Sequence, residues 1–388
     1  MRNFIFYRFP LLVSAGIGFL ESLFLIEQLG LTDFGKTAVV VSVTLVVYGL
    51  FDVRVGELIV LSHNSGLWQR KTVWKILTYE MSAIAVSLLA SMFTARSVYN
   101  LSNSFAIGLG LLALLPSTCS NVRLIIDSGK FHPIWSLWVT VIRGIPLLYL
   151  IIASIGTAPV ISLQSFSFSF SLMISWLLLL PLSAHVAFKL ANKNSQTPVN
   201  QITIRTLIFA NWSVSTASGI YRQADVILSA LIAGPAVSAT IKIWMQIITP
   251  LSLAGEIKSQ RTLTRTNQSS KNSLLSAELA GGLIATSVLA GIVQSRSEID
   301  FTGSYYLGAA LIINAVVVLL GAHQRVEILK IGKFSYLSQM SWLATSAYAI
   351  VALIIANSTK SMATLLVVRI MFNLIMLTAL KNKIKENK

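Results

Sequence analysis

The chain of 388 residues has one cysteine, Cys119, and four scattered histidines. One cysteine excludes a disulfide within the chain, and the histidines show no metal-ligand spacing. The histidines are His63, His132, His185 and His323. The segment GLTDFGKT, residues 30–37, has the spacing of a Walker phosphate loop, but it joins two apolar runs of helical length, whereas such a loop follows a β-strand. The sequence therefore predicts no cofactor, no metal site and no ATP-driven chemistry.

Charged residues are also scarce. They make up 11% of the chain, whereas 55% of the residues are hydrophobic and the mean hydropathy is +0.74. An average soluble domain is about 25% charged, so a soluble fold could not bury this much apolar surface. Apolar runs of roughly 20 residues, enough for a helix to cross a hydrocarbon core of about 30 Å, recur along the chain. The composition predicts an all-α polytopic membrane protein.

Apolar runs bounded by charged or turn residues predict about twelve membrane-spanning helices in two groups of six. The first six are 9–29, 37–61, 76–95, 105–126, 135–156 and 168–190, and the second six are 207–233, 236–254, 274–293, 305–321, 337–356 and 362–380. The first run is too long for the apolar part of a cleaved signal peptide. Between the groups lies the polar segment ANKNSQTPVNQ. We therefore expect an N-terminal six-helix lobe (1–190), a cytoplasmic linker (191–206) and a C-terminal six-helix lobe with a basic tail (207–388).

The net charge of +16 has an uneven distribution along this topology. If the N-terminus is cytoplasmic, the predicted outer segments contain only Lys36, Arg96, Arg296 and Lys360. Five basic residues fall well inside spans, and all the others lie in inner segments or at inner span ends. This bias places both termini in the cytoplasm. Because the Lys and Arg residues form no basic domain or patch interleaved with aromatics, the sequence predicts no nucleic-acid partner.

Every predicted outer connection is short, so none is large enough to contain a folded active site. The first one, LGLTDFGK, has a single acid, Asp33. These features weigh against a polysaccharide polymerase or a glycosyltransferase of the membrane, although both remain the alternative from the enzyme class. The sequence favours a transporter, a channel or a structural membrane protein over an enzyme.

A polar stripe crosses the apolar run 207–233. Its residues follow one another at steps of four and three, so they share one helix face; they are Asn211, Ser215, Ser218, Arg222, Asp225 and Ser229. Ionisable residues inside a membrane usually face the bundle interior or a water-filled cavity. Hydroxyls and an amide on the same face would suit a sugar-lined path or a wet interface between lobes. The alternative is that Arg222 and Asp225 neutralise one another and that the serines allow close helix packing.

Two turns in the chain look alike. IEQLGLTDFGKTAVVVS links the first two spans, and LSALIAGPAVSATIKIW links the seventh and eighth. Each has a glycine-containing turn followed by small residues at the start of a helix. Such turns also arise by chance, but together they suggest a half-repeat, by which many transporters build a site at the bilayer midplane.

The segments LGLTDFG, LFDVRVGELIV, IYRQADVILSALIAGP and QIITPLSL resemble those of the O-antigen and polysaccharide flippases. These belong to the multidrug/oligosaccharidyl-lipid/polysaccharide exporter superfamily. The resemblance covers residues 1–61 and 207–259, and it implies two lobes related by a pseudo-twofold axis. It also implies that the chain, by alternating access, moves an undecaprenyl-diphosphate-linked oligosaccharide from the inner to the outer leaflet of the bacterial inner membrane. The implied partners are this lipid-linked oligosaccharide, membrane lipid and other proteins of polysaccharide assembly.

Five bases inside predicted spans are candidates for binding the diphosphate, since Arg forms bidentate phosphate contacts. Arg222, Lys242 and Arg369 lie in the outer half of the second lobe, and Arg54 and Arg143 lie deeper toward the cytoplasm in the first. Arg54 has Glu57 one turn away, whereas Arg143, Lys242 and Arg369 have no acid within four residues. These last three are therefore the stronger candidates, and the alternative for each is an ion pair with a distant acid.

Asp52 and Glu21 are acids inside predicted spans, so they are candidates for binding a coupling proton or cation. The alternative is that they pair with the buried bases. Glu27, Glu57, Glu80 and Glu278 lie near span ends, where we expect them to be solvated. Two further functions stay open: a cation-coupled exporter of the same superfamily, and a scaffold, which would not need unpaired bases inside spans.

Overall fold

The structure is a computed structural model, which describes residues 2–52, 58, 70–128, 131–132, 134–155, 166–192, 204–251, 273–294, 305–330, 333–358 and 361–386. Helices are the only regular secondary structure in these ranges. They are α1 (Arg2–Phe51), α2 (Arg70–Tyr99), α3 (Asn103–Ser128), α4 (Ile134–Ile155), α5 (Phe166–Asn192), α6 (Ile204–Ala233), α7 (Pro235–Ile247), α8 (Ser273–Gln294), α9 (Tyr305–Lys330), α10 (Phe334–Ser358) and α11 (Met362–Glu386).

The described part of the chain contains seven helices that are long and apolar enough to cross a membrane. The chain is thus an all-α, multi-pass membrane protein, as the composition predicts. The first predicted span and residues 37–51 of the second lie on α1, which is interrupted at Gly30. Each later span overlaps one helix from α2 to α11. The number of helices that cross the bilayer stays a prediction. Residues 193–203 of the predicted linker lie outside the described residues.

The chain divides into two compact units. Unit 1 comprises Met1–Gly30 and Lys36–Gln223, and its centre is α3, which packs against α2, α4 and α5. Small residues allow this approach: a Cβ on Gly108 would lie 2.7 Å from the Ser169 hydroxyl of α5. A hydrogen bond to a backbone carbonyl also joins two of these helices. The Trp176 indole N–H of α5 donates to the Leu111 carbonyl of α3 at 3.1 Å. Small residues and such bonds typically hold helices together in a membrane.

Unit 2 comprises Leu31–Gly35 and Ala224–Lys388. Its most extensive helix contact joins α9 and α11, and α7 packs against α8 and α9. The Asn373 amide of α11 donates to the Asn314 side-chain carbonyl of α9 at 2.5 Å. Gly308 of α9 lies against the Trp244 ring of α7, where a Cβ would come within 2.5 Å of the indole. The helices of this unit are thus also joined by polar side chains and a close glycine contact.

Two glycines interrupt the helical path at the two similar turns. Gly30 has φ 74° and ψ 165°, and Gly234 has φ 90° and ψ 172°. Only glycine adopts this region without strain. Pro235 then occupies the start of α7, where its missing N–H costs no hydrogen bond. The two turns therefore share a backbone conformation as well as a sequence pattern.

Within unit 2, Gly35 lies against the backbone of Pro235. A Cβ on Gly35 would overlap the carbonyl of Pro235, which is a backbone group that cannot rotate away. We expect Gly35→Ala to lower stability by about 1–3 kcal/mol, the usual cost of overpacking, measured as the thermal unfolding of the purified protein in detergent.

Gly291→Ala is the matched control for this prediction, since a Cβ at Gly291 of α8 meets no atom within 4 Å. Alanine also favours a helix over glycine by up to about 1 kcal/mol, so this variant should unfold at or above the wild-type temperature. Equal melting temperatures for the two variants would contradict the close contact at Gly35.

Candidate functional site

Unit 1 contains a buried ion pair between α1 and α4. Both terminal nitrogens of Arg143 donate to the Glu21 carboxylate, with Nη1–Oε1 and Nη2–Oε2 distances of 2.5 Å. Arg143 and Glu21 are each 3% exposed. A two-pronged contact of this kind fixes the orientation of both side chains. It therefore ties α1 to α4 at one defined position.

Unit 2 contains a second buried cluster, built by three helices. Asp225 of α6 forms an ion pair with Arg369 of α11 and accepts a hydrogen bond of 2.6 Å from the Tyr348 hydroxyl of α10. Asp225 and Tyr348 are each 1% exposed. The Arg369 guanidinium also lies 5.8 Å from the centre of the Tyr348 ring, within the range of a cation–π contact. One carboxylate therefore holds three helices together.

The acids of the two clusters occupy matching places in the two similar turns. Glu21 precedes Gly30 by the same number of residues as Asp225 precedes Gly234. Each acid then takes an arginine from a helix far away in sequence, although the partner helices, α4 and α11, do not correspond in order. The similarity between the two halves therefore extends from the turn to a buried carboxylate, a residue-level match that sequence analysis missed.

Two of the candidate diphosphate ligands are thus paired within the protein. Arg143 and Arg369 have no acid nearby in sequence, but the fold brings Glu21 and Asp225 to them. Both arginines therefore form ion pairs with distant acids, which the sequence analysis gave as the alternative to diphosphate binding. Asp225 pairs with Arg369. Arg222 is exposed on α6, and Arg54 lies outside the described residues.

Lys242 differs from these arginines. It is half-buried on α7, between buried Ile241 and Ile243. It makes no ion pair or hydrogen bond within the described ranges. An ammonium group in this position retains its capacity to donate to an anion.

The polar stripe of α6 is only partly described. The side chains of Asn211 and Ser215 lie outside the described residues, and Ser218 is half-buried. Ser229 is buried and donates to the Val226 carbonyl of its own helix. The hydrogen bond of this hydroxyl is therefore made within its own helix. This is the pattern expected of a residue that packs between helices.

Residues beside the stripe attach α6 to the end of α1. The Trp212 indole N–H donates to the Leu50 carbonyl at 2.6 Å, and the Thr216 hydroxyl donates to the Gly49 carbonyl at 2.8 Å. These donors are one helical turn apart, so they lie on one face. A tryptophan and a threonine four residues apart indicate a polar helix contact, and the sequence analysis did not use this signal.

Three acids or bases have surroundings that the sequence did not indicate. Asp52, a candidate for ion coupling, is half-buried at the end of α1 and acts electrostatically on Glu80. The expectation that Glu80 is solvated is wrong, because this residue is buried on α2. Arg123, assigned to an inner span end, is also buried, and it donates to the Thr140 hydroxyl of α4 at 3.0 Å. The sequence contained a signal for this burial, since Arg123 lies within the apolar run 105–126.

The described residues contain no group of three or more His, Cys, Asp or Glu side chains arranged to hold a metal ion. Comparison with models of protein families, with curated proteins and with solved structures finds no match to this chain. The argument for function therefore depends on the residues and contacts described above.

The cluster on Asp225 generates a test by double substitution. Arg369→Met should destabilise the protein by about 3–5 kcal/mol, because it leaves a buried carboxylate without its cation. Adding Asp225→Asn should restore part of this loss, since the double variant contains no buried charge. Thermal unfolding of the two single variants and the double variant measures the coupling.

An exposed ion pair on α11 is the control. Lys383 donates to Glu386 at 2.7 Å, and Lys383→Gln should leave the melting temperature unchanged because exposed pairs contribute little. If the penalties of Arg369→Met and Asp225→Asn simply add, the two residues do not stabilise one another and the cluster has a different basis.

Proposed function

We propose that this chain is a flippase for an undecaprenyl-diphosphate-linked oligosaccharide, the repeat unit of O-antigen or of another surface polysaccharide. In this proposal it moves the unit from the inner to the outer leaflet of the bacterial inner membrane by alternating access, and it is not an enzyme. The observation that carries the proposal is the repetition of a glycine-linked turn and a buried acid in the two halves of the chain. Paired halves are the usual basis of a transport site at the midplane.

The finer architecture is part of the same proposal. Twelve spans form two six-helix lobes related by a pseudo-twofold axis, with both termini in the cytoplasm. The charge bias of the connections supports this topology, and the overlap of the predicted spans with α1 to α11 is compatible with it. Membrane lipid and other proteins of polysaccharide assembly are the proposed partners.

The buried arginines have a structural part in this mechanism, and Lys242 has the binding part. Breaking a buried ion pair costs about 3–5 kcal/mol, so Arg143 and Arg369 are poorly available to a ligand while Glu21 and Asp225 hold them. Lys242 carries no such partner among the described residues. A diphosphate would gain a charge-assisted hydrogen bond from its ammonium group, with Arg222 and Arg54 as further candidates.

Two alternatives are weaker. A polymerase or glycosyltransferase needs an active site, and the short outer connections leave little room for one. A cation-coupled exporter of the same superfamily would handle cationic drugs, which the excess of bases over acids inside the spans of the second half disfavours.

Complementation in the host tests the function. After deletion of the chain, the lipid-linked repeat unit should accumulate unpolymerised inside the cell, and wild-type protein should restore surface polysaccharide. Lys242→Met should reduce this export about tenfold or more, since a hydrogen bond to a charged group contributes about 1.5–3 kcal/mol. Quantification of surface polysaccharide and of the inner-leaflet pool measures the effect.

Lys333→Met is the matched control, because Lys333 is exposed at the start of α10 and should support normal export at equal protein level. Lys242→Arg, which keeps the charge, should restore part of the activity. If single repeat units reach the outer leaflet in the deletion strain and only chain growth fails, the protein acts after flipping and the polymerase alternative replaces the flippase.

The topology has its own test, made possible by the single cysteine. Cys119 is buried on α3, and Cys119→Ala gives a background for single-cysteine variants. In spheroplasts, which have lost the outer membrane but keep a sealed inner membrane, a membrane-impermeant maleimide should label Lys360→Cys. This position lies in a predicted outer segment. Lys333→Cys, in an inner segment, should react only after permeabilisation. Labelling of both from outside would overturn the proposed arrangement of the last three spans.

A further inference from the structure

Glu80 lies in an environment that does not suit an ionised carboxylate. Its side chain is on α2, within unit 1, and the residue is 7% exposed. The Tyr48 hydroxyl of α1 donates to Oε1 at 2.6 Å. The other oxygen, Oε2, is buried and accepts no hydrogen bond within the described structure. A buried polar atom without a partner is uncommon and calls for an explanation.

A second acid lies in the described surroundings of Glu80, and no described base forms an ion pair with Glu80. This acid is Asp52, which directly follows α1 and acts on Glu80 electrostatically. The neighbouring helices α3 and α5 have titratable or charged groups on their described parts, but Glu80 forms no ion pair or hydrogen bond with any of these. They are Arg123, Asp127, His185 and Lys189. Glu80 thus differs from Glu21 and Asp225, each of which has an arginine partner.

We propose that Glu80 is a proton-binding site, with the proton on Oε2 and the Tyr48 hydroxyl hydrogen-bonded to Oε1. A buried carboxylate that has no cation partner neutralises itself by taking up a proton. The added O–H also gives Oε2 a donor function that it lacks as a carboxylate oxygen. Release of this proton would leave a buried charge that no described cation offsets.

A proton fits this site better than a metal cation. Sodium or calcium requires several oxygen ligands around one point, and one oxygen of Glu80 already accepts the Tyr48 hydrogen bond. The described chain also lacks an acidic cluster suited to a metal ion. The proposal goes beyond the flippase function, because it holds whatever substrate the protein moves.

Infrared spectroscopy of the purified full-length protein at neutral pH tests the proposal without any substrate. The measured quantity is the difference between the spectrum of the wild type and that of each variant. The wild-type protein should show the C=O stretching band of a protonated, buried carboxylic acid. We expect complete loss of this band in Glu80→Gln. Tyr48→Phe should keep the band and shift its frequency, because this substitution removes the hydrogen bond to Oε1. It also serves as a second variant should Glu80→Gln fail to fold.

Glu27→Gln is the matched control, since it makes the same change at an exposed acid of α1 and should leave the band unaltered. Absence of the band in wild-type protein, or its persistence in folded Glu80→Gln, would overturn the proposal. So would sodium-dependent stabilisation that Glu80→Gln abolishes, because that result assigns the site to a metal cation. Since the measurement needs no lipid-linked sugar, failure of the flippase function would not change its outcome.

Discussion

The constraint on which this structure depends is the cost of placing a charge where water is absent. A chain with so few charged residues keeps several of them inside apolar helices, and the fold accounts for most of those that it describes. Glu21 takes Arg143, and Asp225 takes Arg369 together with the Tyr348 hydroxyl. Each pairing joins helices that are distant in sequence. Electrostatic compensation therefore specifies which helices pack together, and apolar contact alone, being non-directional, does not.

The two pairings also give the similarity of the halves a physical meaning. In each half, a helix carrying a buried acid is followed by a glycine with positive φ and then by a second helix. The glycine sets the change of direction, and the acid anchors the first helix to an arginine elsewhere. A bend of this kind beside an anchored helix is a suitable element for a protein whose proposed function requires two arrangements of its helices.

The ionisable groups without such compensation have a different significance. Among the described residues, Lys242 has no anionic partner, and Glu80 has a hydrogen-bond donor but no cationic partner. An uncompensated group in an apolar environment is costly, and such groups usually mark a path for substrate or ion. Lys242 is a base and suits an anionic ligand, whereas Glu80 is an acid and suits a proton. The two residues therefore belong to different proposed sites. Arg143 and Arg369, which have no acid nearby in the sequence, are held in buried ion pairs instead.

The sequence by itself determined the all-α, membrane-embedded class, because the hydrophobic content and run lengths leave no soluble alternative. It also located the two glycine turns, since positive φ at these positions favours a residue that the pattern makes visible. It could not pair Arg143 with Glu21 or Arg369 with Asp225, because these contacts join residues more than a hundred positions apart. Burial of Glu80 and Arg123 near span ends was likewise decided by tertiary packing. Hydropathy records how apolar a segment is, whereas only the packed helices show which polar group each side chain meets.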